Sequence, residues 1–422
     1  MSLLVISPDF ASHYQPMAVV ARAARDHGGR VVVATGTSMR SHVEADGFEW
    51  RELRLGAGSN TGIVERSPAI DRFIAATHRG PLATLHLQAR DRAADLLWQP
   101  ETVARRIAEL CDEIDPDQVL VDQVSFGSTL GMYATSRPFV SLVPGHPSQL
   151  PIGPDRYGIP PNWPDALRPA PDELAELEQL VDDVGQSFTD HWNEVLADVA
   201  PHASPVDDAF RVHGDRVLYN SPVEIADQDR RRDLAAGHRF VGPLVRHEAR
   251  PSGLDGWARH GDQPLVYVAL GTFLSHRGDV LARIAEALRR CGARAAIATG
   301  PTGADALGPI PDGWIVAPTL PQVGLLAEAD LAIHHGGNNS VQESLASGVR
   351  QLVLPFSTDQ FANAYDLERC GYAAVAAPNT ATIAELAELV ERSMAGSRPT
   401  PIGAVDSATL VAPLGDPAPV AS

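Results

Sequence analysis

Apolar residues in this chain fall in short unbroken runs, separated by longer segments of helical spacing. Residues 3–7 (LLVIS), 30–34 (RVVVA), 118–121 (QVLV) and 139–143 (FVSLV) are such runs, without strict alternation. Strands buried on both faces read this way, because helices cover both sides of a parallel sheet. Between them, 17–26 and 101–114 repeat apolar positions every three or four residues, and Gly28-Gly29 ends the first. Further strands are expected at 216–218 and 239–245. The pattern predicts a doubly wound α/β domain over residues 1–245.

Residues 144–171 interrupt the pattern with dense Pro and Gly and are expected to be loop. An acidic helical stretch follows over 172–199, with a break expected near Gly185. Residues 246–263 are polar and glycine-containing, an expected interdomain linker. The alternation then restarts. Strands are expected at 265–270, 293–298, 314–317, 331–333 and 351–354, and helices at 279–290, 323–326, 339–347, 359–371 and 383–394. They make a second doubly wound domain, 264–395. The tail, 396–422, is rich in Pro, Ala and Gly and is expected to be weakly ordered. Two such domains joined by one linker place a cleft between the carboxyl ends of their sheets, where ligands of this architecture bind.

Composition narrows the chemistry. The net charge of -19 disfavours nucleic acid and anionic membrane as partners. All 34 basic residues are arginine, so Schiff-base and P-loop lysine chemistry are absent. Three scattered cysteines form neither a disulfide framework nor a zinc knuckle. With no apolar run of membrane length and no basic leader, the expectation is a soluble cytoplasmic protein, monomer or homodimer. Asp115-Pro116-Asp117 imitates a metal-binding DxD but precedes a strand instead of ending one, and Gly56 to Gly62 is glycine-rich with no helix directly after it. No metal site is expected.

The informative stretch is 321–363. The strand at 331–333 runs into His334-His335-Gly336-Gly337-Asn338-Asn339-Ser340, and a helix follows. Paired glycines allow close backbone approach, and the helix N-terminus offers free N–H groups and a positive dipole end. His335, Asn339 and Ser340 add side-chain donors. Glu343, one turn inside the helix, is placed to accept from sugar hydroxyls. Together these residues form a diphosphate cradle without lysine.

This run closely resembles the nucleotide-sugar signature of the UDP-glycosyltransferase superfamily, the inverting enzymes of the GT-B fold. Pro321-Gln322, His335, Gly337, Asn339, Ser340, Glu343, Gly348, Pro355, Asp359-Gln360 and Asn363-Ala364 match it in order and spacing. The resemblance implies that His335, Asn339 and Ser340 hold the diphosphate, Glu343 the ribose, and Asp359 and Gln360 the donor sugar. Gly271-Thr272 matches the family's loop near the phosphates. Gln322 and Gly337 belong to the same donor site. The chain departs from the pattern at Arg350, where Pro is usual, and lacks the base-stacking Trp before Pro-Gln; Trp314 is the candidate substitute. The family's C-terminal helix, which returns to the first domain, is not recognisable in the tail.

In the first domain, His13 lies in Ser12-His13-Tyr14-Gln15-Pro16 after the first strand. Imidazole is the usual base for a hydroxyl nucleophile near neutral pH. The family places its base here, in Gly-His-x-x-Pro, and orients it with an Asp from a later strand end; Asp122 in VLVDQ fits. His146, in PGHPSQL, is a candidate acceptor-site residue. The expected function is inverting transfer of a sugar from a nucleoside diphosphate donor to a hydroxyl of a small molecule, without cofactor or metal. UDP is favoured over dTDP because Glu343 has full use only with a ribose carrying both hydroxyls. The lysine-free, Ala- and Arg-rich composition points to a GC-rich bacterial genome. The expected acceptor is therefore a secondary metabolite, with a saccharide or aminocyclitol as the variant. A UDP-sugar epimerase or hydrolase of the same fold, or a silent sugar-nucleotide-binding partner of another transferase, would share the architecture. The intact His13 loop and Glu343 motif favour transfer.

Overall fold

The computed structural model describes residues 1–59, 66–227, 231–232, 234–248, 257 and 263–415, with the backbone alone at 93–95. Two parallel sheets organise it. The first has seven strands: β1 (Ser2–Ile6), β2 (Arg30–Thr35), β3 (Glu49–Glu52), β4 (Gln118–Asp122), β5 (Val140–Val143), β6 (Arg216–Tyr219) and β7 (His238–Phe240). Their order is β3-β2-β1-β4-β5-β6-β7. The second has six: β8 (Leu265–Ala269), β9 (Arg294–Ala298), β10 (Ile315–Ala317), β11 (Leu331–His334), β12 (Arg350–Val353) and β13 (Ala373–Val375), ordered β10-β9-β8-β11-β12-β13. Every pairing between these strands is parallel.

The unbroken apolar runs are explained by two-sided burial. In the first sheet Leu3, Val5, Val31 and Val33 face Met17, Val20 and Ala21 of the Ala11–Asp26 helix. Leu4, Ile6, Val32 and Ala34 face the other way, against Val103, Ile107 and Leu110 of the Pro100–Ile114 helix. The second sheet repeats this, with Val266, Val268 and Ile333 against Leu281, Ile284 and Leu288, and Tyr267, Ala269 and Ala332 against Leu325 and Leu326.

The chain order reverses between β1 and β4 in one sheet and between β8 and β11 in the other. At each reversal two strands distant in sequence lie side by side, with Ile6 opposite Val121 and Ala269 opposite His334. Their following loops leave the same sheet edge together, which is where a ligand crevice forms.

Several expectations are corrected. The acidic stretch is one unbroken helix, Pro171–Val199, through Gly185. Its buried positions Leu177, Val181, Phe188, Trp192, Val195 and Leu196 stay in phase across the glycine. Packing on Phe126 and Phe210 outweighs the cost of about 1 kcal/mol for a helical glycine. The strand expected at 239–245 is regular only to Phe240; Val241 and Gly242 still donate to Tyr219 O and Ser221 O at 3.0 and 3.3 Å, and Pro243 has no N–H to carry the pairing further. The helices Pro68–Arg79 and Pro81–Leu96 were not expected. Most of the expected linker lies outside the described residues, as do positions 60–62 of the glycine-rich run and 416–422 of the tail.

The rest of the tail is ordered against both domains. Ile402 donates its N–H to Leu345 O at 3.0 Å. The Ser407–Gly415 helix then buries Leu410 and Leu414 against the first domain, in the cluster holding Met17 and Val20. Its return crossing was hidden because only this i, i+4 leucine pair and its flanking valines carry the apolar face. Among the described residues, no helix is long and apolar enough to cross a membrane.

Leu414 is fully buried, so Leu414→Ala should cost about 2–5 kcal/mol of stability. Urea unfolding of the parent and the variant measures this. Coincident curves would mean that the tail contributes nothing to the first domain's core.

Candidate functional site

His13 is the third residue of the Ala11–Asp26 helix, which starts six residues before the expected helix at 17–26. Asp122 ends β4, directly beside β1. The adjacency closes a gap of 109 residues: His13 Nδ1 stands 2.8 Å from Asp122 Oδ2. Asp122 is fully buried, and its Oδ1 accepts the Val124 N–H at 3.0 Å. A carboxylate so fixed takes the Nδ1–H and leaves the Nε2 lone pair free. The His13 side chain is 27% exposed, enough for contact with a substrate hydroxyl. Burial opposes its protonation. The charge and hydrogen bond of Asp122, with Asp359 adding, outweigh that and hold its pKa above the ordinary imidazole value.

Opposite, the Asn338–Ser347 helix begins at the end of β11 and brings in the glycine cradle. A Cβ on Gly337 would stand 2.4 Å from His335 Nε2, and one on Gly271 would stand 2.6 Å from His335 Cε1. Gly271 also has φ +75°, in the left-handed region that favours glycine. The two motif glycines therefore make the slot that holds the His335 ring. Burial, then the neighbouring His334, push the His335 pKa down to about 3, so its ring is neutral. His335 Nδ1 is buried and has no hydrogen-bond partner in the structure. The cradle offers neutral donors and helix N–H groups instead of a fixed cation.

Asn339 joins the two domains. Its Nδ2 donates to Ser12 O at 2.9 Å and lies 3.3 Å from Gln15 Oε1. Ser12 O can accept this bond because Pro16, four residues on, has no N–H to complete the helical ladder. Next to it, Asn338 Nδ2 donates to Pro144 O at 2.7 Å and Asn220 O at 2.8 Å.

Several of the residues expected on the donor side form one network. Gln322 Nε2 donates to Glu343 Oε2 at 2.5 Å and to Ser340 Oγ at 3.3 Å. Its Oε1 accepts from the Tyr267 hydroxyl at 3.1 Å. Glu343 is 2% exposed, and Arg246 Nη1 lies 3.3 Å from its Oε1. Burial pushes the Glu343 carboxyl up to about 7, against the opposing pull of Arg246 and Gln322. Arg246 comes from the polar, glycine-containing segment expected to be an interdomain linker, and no pattern in the sequence marks it.

Asp359 and Gln360 lie at the same edge but are engaged. Gln360 Oε1 accepts the N–H groups of Phe356 at 3.0 Å and Ser357 at 3.2 Å, bracing its own loop. Asp359 Oδ2 accepts the His146 N–H at 3.2 Å. Between them and the strand, Thr358 is held at φ 44° and ψ −130°, a strained conformation for a β-branched residue. Thr272 sits in the short Gly271–Leu274 helix beside the slot.

His146 differs from expectation. Its ring is buried between the domains, with Nδ1 2.8 Å from Ser148 Oγ and Nε2 3.0 Å from Asp366 Oδ2. With both nitrogens engaged it fastens the domains together and is not open to an acceptor. Asp115-Pro116-Asp117 lies at the opposite edge of the first sheet, where Asp117 accepts the Ser2 N–H at 2.6 Å. Among the described residues no group of three or more His, Cys, Asp or Glu is arranged to hold a metal ion.

The chain is 31% identical over 163 residues to demethyllactenocin mycarosyltransferase of Streptomyces fradiae, a match covering 38% of this chain. It spans 35% of that relative's length. Over nearly the whole chain the fold superposes on solved glycosyltransferases. The kitacinnamycin glycotransferase gives a TM-score of 0.64 at 20% identity, covering 93% of this chain and 90% of that one. Spinosyn rhamnosyltransferase SpnG, complexed with thymidine diphosphate, gives 0.64 at 18% identity, covering 98% and 94%. The fold is GT-B. Residues 180–397 match the family model described as UDP-glucoronosyl and UDP-glucosyl transferase. They are more than half of the chain and include every donor-side motif, and the chain belongs to that family.

Proposed function

We propose that this protein transfers a sugar from a nucleoside diphosphate sugar to a hydroxyl of a small-molecule acceptor, with inversion at the anomeric carbon. The observation that carries this reading is the His13–Asp122 pair at 2.8 Å, its Nε2 turned free, tied through Asn339 to the glycine cradle. His13 Nε2 takes the acceptor's proton as the oxygen forms its bond to the anomeric carbon. The bond from that carbon to the diphosphate oxygen breaks on the opposite face, and the electron pair leaves with the diphosphate. Asp122 stabilises the imidazolium. The departing charge meets the helix N-terminus at Asn338, His335 and the Ser340 hydroxyl, donors aimed where charge develops.

The named mycarosyltransferase and the kitacinnamycin and spinosyn enzymes support a natural-product acceptor. The family description names UDP sugars, while the SpnG complex holds thymidine diphosphate. The cradle residues are placed for the diphosphate that both nucleotides share, and Glu343, the residue expected at the ribose, is covered by Arg246. The residues this mechanism uses are the chain's own, and activity is expected to survive EDTA.

Two measurements test the assignment. Gly337 has an ordinary φ of −63°, so Gly337→Ala leaves the backbone unstrained while its methyl displaces the His335 ring. UDP affinity by calorimetry should fall at least tenfold, with a melting temperature lowered by the clash against the buried ring. Parent-like affinity would remove His335 from the diphosphate site.

His13→Ala should lower kcat about a hundredfold or more while sparing donor affinity, because His13 belongs to the other domain. A base must be neutral to work. The parent's kcat/KM should therefore rise with pH through an ionisation above imidazole's ordinary value of about 6.5. Asp122→Asn should move that ionisation down and lower kcat, and the two substitutions should be non-additive. A His13→Ala enzyme with normal turnover and weakened donor binding would make His13 a binding residue.

A further inference from the structure

Arg246 covers the carboxylate that the proposed donor site needs for the ribose. Its Nη1 lies 3.3 Å from Glu343 Oε1 and 3.3 Å from Gln15 Oε1 of the first domain. Its Nη2 lies 3.2 Å from Glu248 Oε1. Glu248 is anchored in turn, its Oε2 accepting the Val323 N–H at 2.8 Å in the first turn of the Gln322–Glu328 helix. One guanidinium thus ties two carboxylates to the base-bearing helix. Glu343 is 2% exposed and the Arg246 side chain 21% exposed, so the open side of the pair is the arginine. A ligand hydroxyl approaching Glu343 meets Arg246 first.

We propose that Arg246 sets the site's discrimination between ribo- and deoxyribonucleotides. By occupying Glu343 it makes the 2′-hydroxyl nearly irrelevant, so UDP- and dTDP-type donors are accepted with similar affinity. This rests on the reading of Glu343 as the ribose residue. The physical reason is an exchange. A 2′-hydroxyl can bond Glu343 only by loosening a partly buried ion pair, and leaving either charge unpaired is costly. A deoxyribose binds beside the intact pair and gives up nothing. Without Arg246, the buried Glu343 carboxyl keeps Gln322 as its partner among the described residues, and the 2′-hydroxyl becomes its natural second partner.

The test is calorimetric binding of UDP and 2′-deoxy-UDP, which differ only in that hydroxyl. It uses the parent, Arg246→Met, and the double variant Arg246→Met with Glu343→Gln. The parent should bind the two within about threefold. Arg246→Met should favour UDP by at least about tenfold, and the double variant should lose that preference. Arg246→Gln carries the same expectation if the methionine variant does not fold. An unchanged ratio in the Arg246 variants, or a parent already favouring UDP tenfold, overturns the proposal while leaving the proposed function standing. Failure of the parent to bind either nucleotide at millimolar concentration overturns both.

Discussion

Parallel neighbours far apart in sequence are the constraint on which this site depends. β1 and β4 lie side by side because the chain reverses its order at that point, and parallel pairing puts both carboxyl ends at one edge. His13 and Asp122 meet for that reason. The second sheet uses the same device, with β8 and β11 delivering Gly271 and His335 to one slot. Each half of the site is therefore a property of topology first and of side-chain choice second. Within a set topology, a glycine or an aspartate at a strand end is enough to complete it.

The two imidazoles show how local surroundings divide the labour. His335 is buried beside His334, and both effects keep its ring neutral. His13 has a fixed carboxylate at 2.8 Å and is pulled the other way despite its burial. One ring is held neutral, and the other has its charged form supported. A chain with net charge -19 and no lysine gains from this arrangement. The cradle depends on dipoles and N–H groups, which need no counter-ion when the site is empty and no desolvation of a free cation when it fills.

What the sequence disclosed follows from the range of each interaction. Strand cores were legible because two-sided burial demands unbroken apolar runs, and the cradle because Gly-Gly before a helix with Asn and Ser has a local meaning. The hairpin of Pro68–Arg79 and Pro81–Leu96 was not, since its exposed faces are charged and its apolar contacts lie with distant segments such as Trp163 and Phe361. The tail's return was hidden in a Pro- and Ala-rich run whose apolar face is short. The contacts of Arg246 and His146 carry no local signal, for a common reason. Each acts through a partner about 100 or more residues away, Glu343 in one case and Asp366 in the other, and no local spacing encodes such a pair.

Pro16 carries this argument one step further. In a helix interior a proline usually costs about 3 kcal/mol, because a carbonyl four residues back loses its donor. Here that carbonyl is Ser12 O, and it receives the Asn339 side chain from the opposite domain at 2.9 Å. The defect in one helix becomes the acceptor that the other helix reaches. His13 lies one residue beyond that carbonyl, so the contact fixes His13 and the first turn of the Asn338–Ser347 helix in a common frame. The His-x-x-Pro spacing then has a structural sense independent of catalysis. The proline opens the backbone beside His13, and the opening is where Asn339 of the second domain takes hold of this helix.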